Sequence, residues 1–257
     1  MIKNCIIYRI AEKYKSKLQV DKRALSAVTL KRCLEEAKGL IKPRLRALVQ
    51  IAHEEKIELT DETDEYYQFQ VYCEFRSRRL LATSVTPFVP VSFRIWLRKK
   101  TPIVVVFNAG RKLASVGITL LAYATTGNPA AIESLKLDKS AFLRLISWLK
   151  ENAPDSQIKR ITIKKIHYRG VLLRELTLNA EHLEETQLFS EIIGSIRQEI
   201  ESVITSLSFL TPPLEVSRRR LSCRLNYWGC LTIYTADVSD LELLELIKTL
   251  EHIVLEM

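Results

Sequence analysis

Over residues 66–76, Tyr67, Phe69, Val71, Cys73 and Phe75 alternate with Tyr66, Gln68, Gln70, Tyr72 and Glu74, the two-residue period of a β-strand. The same period returns over 91–98, where Val91, Phe93, Ile95 and Leu97 point one way and Ser92, Arg94, Trp96 and Arg98 the other. Ile103 to Phe107 is unbroken apolar sequence and predicts a strand covered on both faces. Beyond Asn108-Ala109-Gly110 the period becomes helical. Leu113, Val116, Gly117, Leu120, Leu121 and Ala124 share one stripe, and Gly127-Asn128-Pro129 supplies a stop. Residues 91–132 therefore read as strand, tight turn, strand, glycine turn and helix, the run around which the chain is organised.

The flanking sequence adds further elements. Residues 2–10 predict a strand, 24–38 a helix ending at Gly39, and Pro43 opens a second helix. Lys31, Arg32, Lys42, Arg44 and Arg46 on this pair fit a helical hairpin with a solvated basic face better than a DNA-reading helix-turn-helix. The acidic stretch Glu54 to Glu65 predicts an exposed loop, residues 80–86 a returning strand, and 132–137 a short strand. Asp138 caps a helix through Asn152, with Phe142, Leu145, Ile146 and Leu149 inward. Ala153-Pro154-Asp155 then divides the chain into subdomains over 1–153 and 154–257.

Two hairpins follow. Residues 158–178 turn at Tyr168-Arg169-Gly170 and lead into a helix over 183–206; residues 216–235 turn at Tyr227-Trp228-Gly229 and lead into a helix over 238–255. Tyr-x-Gly-(Val/Cys)-Leu recurs in both, which marks an internal repeat. Asp237 and Asp240 are the expected caps of the last helix, whose leucine-rich face suits the core or a homodimer contact. The expected fold is α+β: antiparallel sheets built from strand-strand-helix units, with helices layered on one side.

Composition narrows the class. The 257 residues are 47% apolar and carry no apolar run approaching the ~20 residues of a membrane-spanning helix. The opening MIKNCIIYRI lacks the long apolar core and cleavage site of a signal peptide, so the expected location is cytoplasmic. The five cysteines, Cys5, Cys33, Cys73, Cys223 and Cys230, include no CxxC and read as reduced thiols, with a Cys223–Cys230 bridge left open. Sparse Asn and Gln beside abundant Lys, Arg, Glu, Ile and Leu give a thermophile-like composition. The net charge of +9 favours a polyanionic partner. Its distribution says more: basic windows over 75–132, 158–174 and 216–236 fall on predicted strands and turns, acidic windows over 54–65, 181–201 and 237–257 mainly on helices.

Candidate chemistry follows from the hairpins. Their polar sides carry Arg94, Trp96 and Arg98, continued by Lys99 and Lys100; then Arg160 and Lys164; then Arg220 and Arg224. Sharing one sheet, these would make a positive, aromatic-bearing surface for the phosphates and exposed bases of DNA or RNA. Arg94→Ala with Arg98→Ala is then expected to weaken binding without unfolding. The runner-up is a scaffold for a protein partner, and the third reading an enzyme acting on a phosphorylated substrate held at Asn108, Gly110, Arg111 and Lys112, where a helix N-terminus meets two cations. That turn lacks the glycines of a Walker or dinucleotide loop. His53, His167, His182 and His252 are scattered, and no metal motif, nucleophile elbow or phosphate loop is present. The sequence thus favours a non-enzymatic binder and points to no cofactor and no metal.

Overall fold

Periodic stretches become strands where their apolar side finds cover. In a computed structural model of the chain, the described residues are 3–39, 41–76, 88–152, 155–168, 171–199 and 201–255. They form an α+β fold with eleven strands, and the chain divides into two compact units: Cys5–Leu135, and Lys136–Met257 with Met1–Asn4. The expected strand over 80–86, the break at Pro154 and the turn at Arg169-Gly170 lie outside the described residues.

In the unit Cys5–Leu135 the strands run in the order β2 (Ala52–Glu62), β3 (Tyr66–Arg76), β4 (Phe88–Arg98), β5 (Ile103–Phe107) and β1 (Lys3–Ile10), with β6 (Ile132–Ser134) also pairing β1. Every residue of β5 is buried, as its apolar run predicts; Val105 lies opposite Trp96 on one side and Ile7 on the other, both antiparallel. Helix α4 (Arg111–Thr126) ends at left-handed Gly127 (φ 70°), the predicted stop. It approaches β4 so closely that a Cβ on Gly117 would stand 2.7 Å from Phe93 Cε2 and 2.9 Å from Ile95 Cδ1. Three short helices, α1 (Lys22–Ser26), α2 (Leu30–Glu36) and α3 (Ile41–Val49), replace the expected two. Thr29 divides the first by capping α2, accepting from the Arg32 amide at 3.2 Å.

The acidic stretch after Glu54 is not a loop but most of β2, which ends this unit's strand order. Two register shifts against β3 and a left-handed Glu54 (φ 50°) break its alternation, leaving Ala52 and Ile57 as its fully buried residues. Bulges and charges are what edge strands carry to resist pairing with other chains.

The second unit orders β11 (Cys230–Ile233), β10 (Ser222–Asn226), β9 (Val203–Leu210), β7 (Gln157–Tyr168) and β8 (Val171–Asn179). Helix α5 (Lys139–Glu151) begins as predicted at Asp138, whose carboxylate accepts from the Ala141 amide at 2.8 Å. It packs on α7 (Asp240–Leu255), and Arg144 donates to the Ile253 and Val254 carbonyls at 3.0 and 2.8 Å. Helix α5 belongs to the compact unit Lys136–Met257. The helix expected over 183–206 is α6 (Gln187–Gln198) alone, behind a 3-10 turn at Leu183–Glu185; Val203 onward is β9, paired on both sides. β-branched Val203, Ile204 and Thr205 favour the pleated state there. The cap of α7 is also corrected. Ser239 and Glu242 form a reciprocal box, the Ser239 amide donating to Glu242 Oε2 at 2.8 Å and the Glu242 amide to Ser239 Oγ at 3.2 Å. All five cysteines are free thiols, and no described helix is long and apolar enough to cross a membrane.

Candidate functional site

Alternation places Arg94, Trp96 and Arg98 together on β4, but their face is covered. Trp96 is 0% exposed. Tyr66 stacks on it at 4.3 Å between centroids, Phe107 meets it edge-on at 4.6 Å, and its Nε1–H donates to Gln68 Oε1 at 2.9 Å. The half-buried Arg94 guanidinium lies 4.9 Å from the Phe107 centroid and 5.2 Å from that of Trp96. The Arg98 side chain, 2% exposed, donates to the Glu65 carbonyl and to Glu65 Oε2, each at 3.0 Å. Lys99 pairs with Glu62 at 2.8 Å and Lys100 with Glu65 at 3.1 Å. The acidic window and the basic turn thus neutralise each other at one strand end. Trp96 and Arg98 are core residues and present nothing to a polyanion, which removes these two from the expected binding surface.

The second unit assembles what the first does not. Across its strands Arg160 on β7 and Arg224 on β10 both face Ser208 of β9 in register. Strand spacing sets their backbones about 10 Å apart. The next row is Thr162, Ser206 and Asn226, and beyond it Lys164 lies opposite Glu175. A register shift against β9 between Thr162 and Ile163 and a left-handed Lys165 (φ 54°) interrupt the alternation here. Ile163 and Ile166 therefore both stay buried while Lys164 and Lys165, two successive lysines, are both exposed. Arg174 on β8 adds a fifth cation.

These residues line an open groove of about 860 Å³ together with Tyr227 and Trp228. Among the described residues Glu175 is its one carboxylate, and pairs loosely with Lys164 at 3.8 Å. Arg224 donates to Ser206 Oγ at 3.3 Å, whereas Arg160, Lys165 and Arg174 make no ion pair with a described residue. Like charges gathered on one surface repel, so the arrangement favours an anion that neutralises them. Trp228 is held by its turn: Asn226 Oδ1 accepts from the Trp228 and Cys230 amides at 2.9 and 3.0 Å, and Gly229 takes φ 67°. The indole remains 41% exposed, with Lys136 Nζ 5.3 Å from its ring and Tyr227 edge-on at 5.2 Å.

Of the expected binding residues, Arg160, Lys164 and Arg224 share this groove. Arg220 does not line it; it precedes the first residue of β10 and donates to Asp155 Oδ1 at 2.8 Å. Alternation alone does not single out Lys165, Arg174 or Trp228. At the other predicted site, Asn108, Gly110, Arg111 and Lys112 are exposed at the start of α4. The left-handed residue is Asn108 (φ 55°), while nothing stands within 4 Å of a Cβ built on Gly110, so the glycine makes no cradle. A metal-ligand grouping of His182, Glu184 and Glu185 has its donor atoms within 4.8 Å of one another. Glu184 there accepts from the Ile158 amide at 2.8 Å, tying the 3-10 turn to β7.

No family model matches the chain, and a comparison with curated proteins returns no match.

Proposed function

We propose that the protein is a non-enzymatic nucleic-acid-binding protein that holds its ligand in the β7–β10 groove, chiefly through the phosphate backbone. The observation that carries this reading is the convergence of Arg160, Lys164, Lys165, Arg174 and Arg224 on one open groove, with Glu175 the only carboxylate among its described residues. Serine, threonine and asparagine side chains between the cations supply hydrogen-bonding groups of the kind that position phosphates and sugars. No residue of a described helix lines the groove, which supports the finer architecture in which helices layer on the opposite side. A cytoplasmic location, with reduced thiols, accords with such a ligand.

The test is fluorescence anisotropy with labelled oligonucleotides across a salt series. Affinity should fall steeply with salt, with a slope of about 0.7–0.9 per neutralised phosphate. Arg160→Ala with Arg224→Ala should weaken binding and lower that slope by about 1 for each phosphate no longer neutralised. Arg94→Ala should leave both unchanged. Absence of binding at low salt, or binding indifferent to salt, overturns the reading.

A further inference from the structure

The groove carries an aromatic pair, Tyr227 and Trp228, as well as its cations, and the two ask different things of a ligand. Phosphates of any nucleic acid answer the cations. An exposed indole face is answered by a flat apolar surface, and in nucleic acid that surface is the face of a base. In a duplex both faces of an interior base are already stacked on neighbours and are closed to a side chain. Trp228, at 41% exposure, leaves a large aromatic surface in water. Its backbone is held in the turn, since both amides flanking Gly229 donate to Asn226 Oδ1. An aromatic carried on an ordered turn spares the ligand the cost of ordering that backbone. Asn226 lines the groove with Tyr227 and Trp228; its Oδ1 is committed to the turn, and its Nδ2 has no hydrogen-bond partner among the described residues. A donor beside a stacking platform suits the acceptor edge of an unpaired base.

We infer that the groove is specific for single-stranded nucleic acid, with one unpaired base stacked on Trp228 and the adjoining phosphates running over Arg224, Arg160 and Lys164. This rests on the reading of the groove as a nucleic-acid site and narrows it to one strand state. RNA and DNA single strands share the chemistry used here, and parallel arms separate them.

The experiment titrates full-length protein into labelled single-stranded RNA, single-stranded DNA and the matching duplex, each of about twelve nucleotides. The wild type should bind at least one single strand more tightly than the duplex. Trp228→Leu should lower that single-strand affinity roughly 5- to 150-fold, the range for removing one base–aromatic stack, while leaving the salt slope and the duplex affinity unchanged. Trp228→Phe should recover part of the affinity. Trp228 sits in an exposed turn, and an unchanged thermal midpoint in both variants confirms that binding alone is read. Equal or tighter duplex binding, or a single-strand affinity unmoved by Trp228→Leu, overturns this inference while leaving the wider one intact. No binding to any of the probes overturns the wider reading itself.

Discussion

Arg98 is a cation taken out of water and paired with Glu65. Its guanidinium, 2% exposed, meets both the carbonyl and the carboxylate of Glu65. Burying a charge is tolerable only while its partner stays in place, and removing one member leaves the other uncompensated. Glu65→Gln should therefore lower unfolding stability by about 3 kcal/mol, read as a shift of the urea midpoint. Arg98→Ala should destabilise comparably, and so cannot serve as a clean test of binding. Lys100→Ala, which removes a pair whose lysine side chain is 66% exposed, should stay within about 0.5 kcal/mol of wild type. A Glu65→Gln midpoint matching wild type would show that Arg98 does not depend on the Glu65 charge.

Helix α5 depends on one side chain at its first turn. Burial pushes the Asp138 carboxyl up, but the Ala141 amide, the Ser140 hydroxyl and the nearby Arg144 charge together outweigh it and hold the group below the ordinary aspartate range. A depressed folded value means the cap contributes fully above the unfolded value of about 3.9 and is lost as pH falls through the lower folded value. Asp138→Ala should cost about 1 kcal/mol near neutrality. Asp138→Asn should retain most of the cap and remove its share of the acid-side loss, since the amide does not titrate in this range. Equal acid sensitivity in wild type and Asp138→Asn, followed by circular dichroism, would count against the cap as its source. This helix, β3, β5 and α4 were legible in the sequence because each has one periodicity and one clear stop or cap; α7 was legible by its periodicity alone, since its cap is Ser239 and not the expected Asp237 or Asp240. β2 was not, because bulges hide its period beneath a run of acids that resembles a loop. β9 was not, because Val203 follows α6 so closely that apolar spacing runs on without a break. Three groove residues could be read from alternation, but Lys165 is outward only because its φ is positive, and Trp228 is an ordinary turn residue until its neighbours are known. Trp96 failed in the opposite way: alternation separates two faces and says nothing about whether the second is covered.

Across the whole chain the charge windows mean less than the charges left over once neighbours pair. Glu62 and Glu65 absorb the basic turn after β4, whereas the basic strands of the second unit keep Arg160, Lys165 and Arg174 without an ion pair to a described residue. The thiols divide as unevenly, and they offer a measurement that samples both units. Cys5, Cys33, Cys73 and Cys223 are buried, and Cys230 is partly exposed beside Trp228. Burial, with Glu36 adding a smaller push, raises the Cys33 thiol to about 12; burial, with Glu55, raises Cys73 to about 11. Thiolate is the reactive form, so at mildly alkaline pH both are protonated as well as shielded. A disulfide-exchange reagent should therefore modify Cys230 first in the native protein. The remaining four should react only as fast as the structure opens, and together once denaturant is added. Substituting Cys230→Ser should abolish the fast phase and leave the slow phase unaltered. Because Cys33 and Cys73 belong to one unit and Cys223 to the other, their slow rates report the opening of each unit separately. Fast labelling of Cys33 or Cys73 would mean that the core around α2 or β3 opens far more readily than its burial implies.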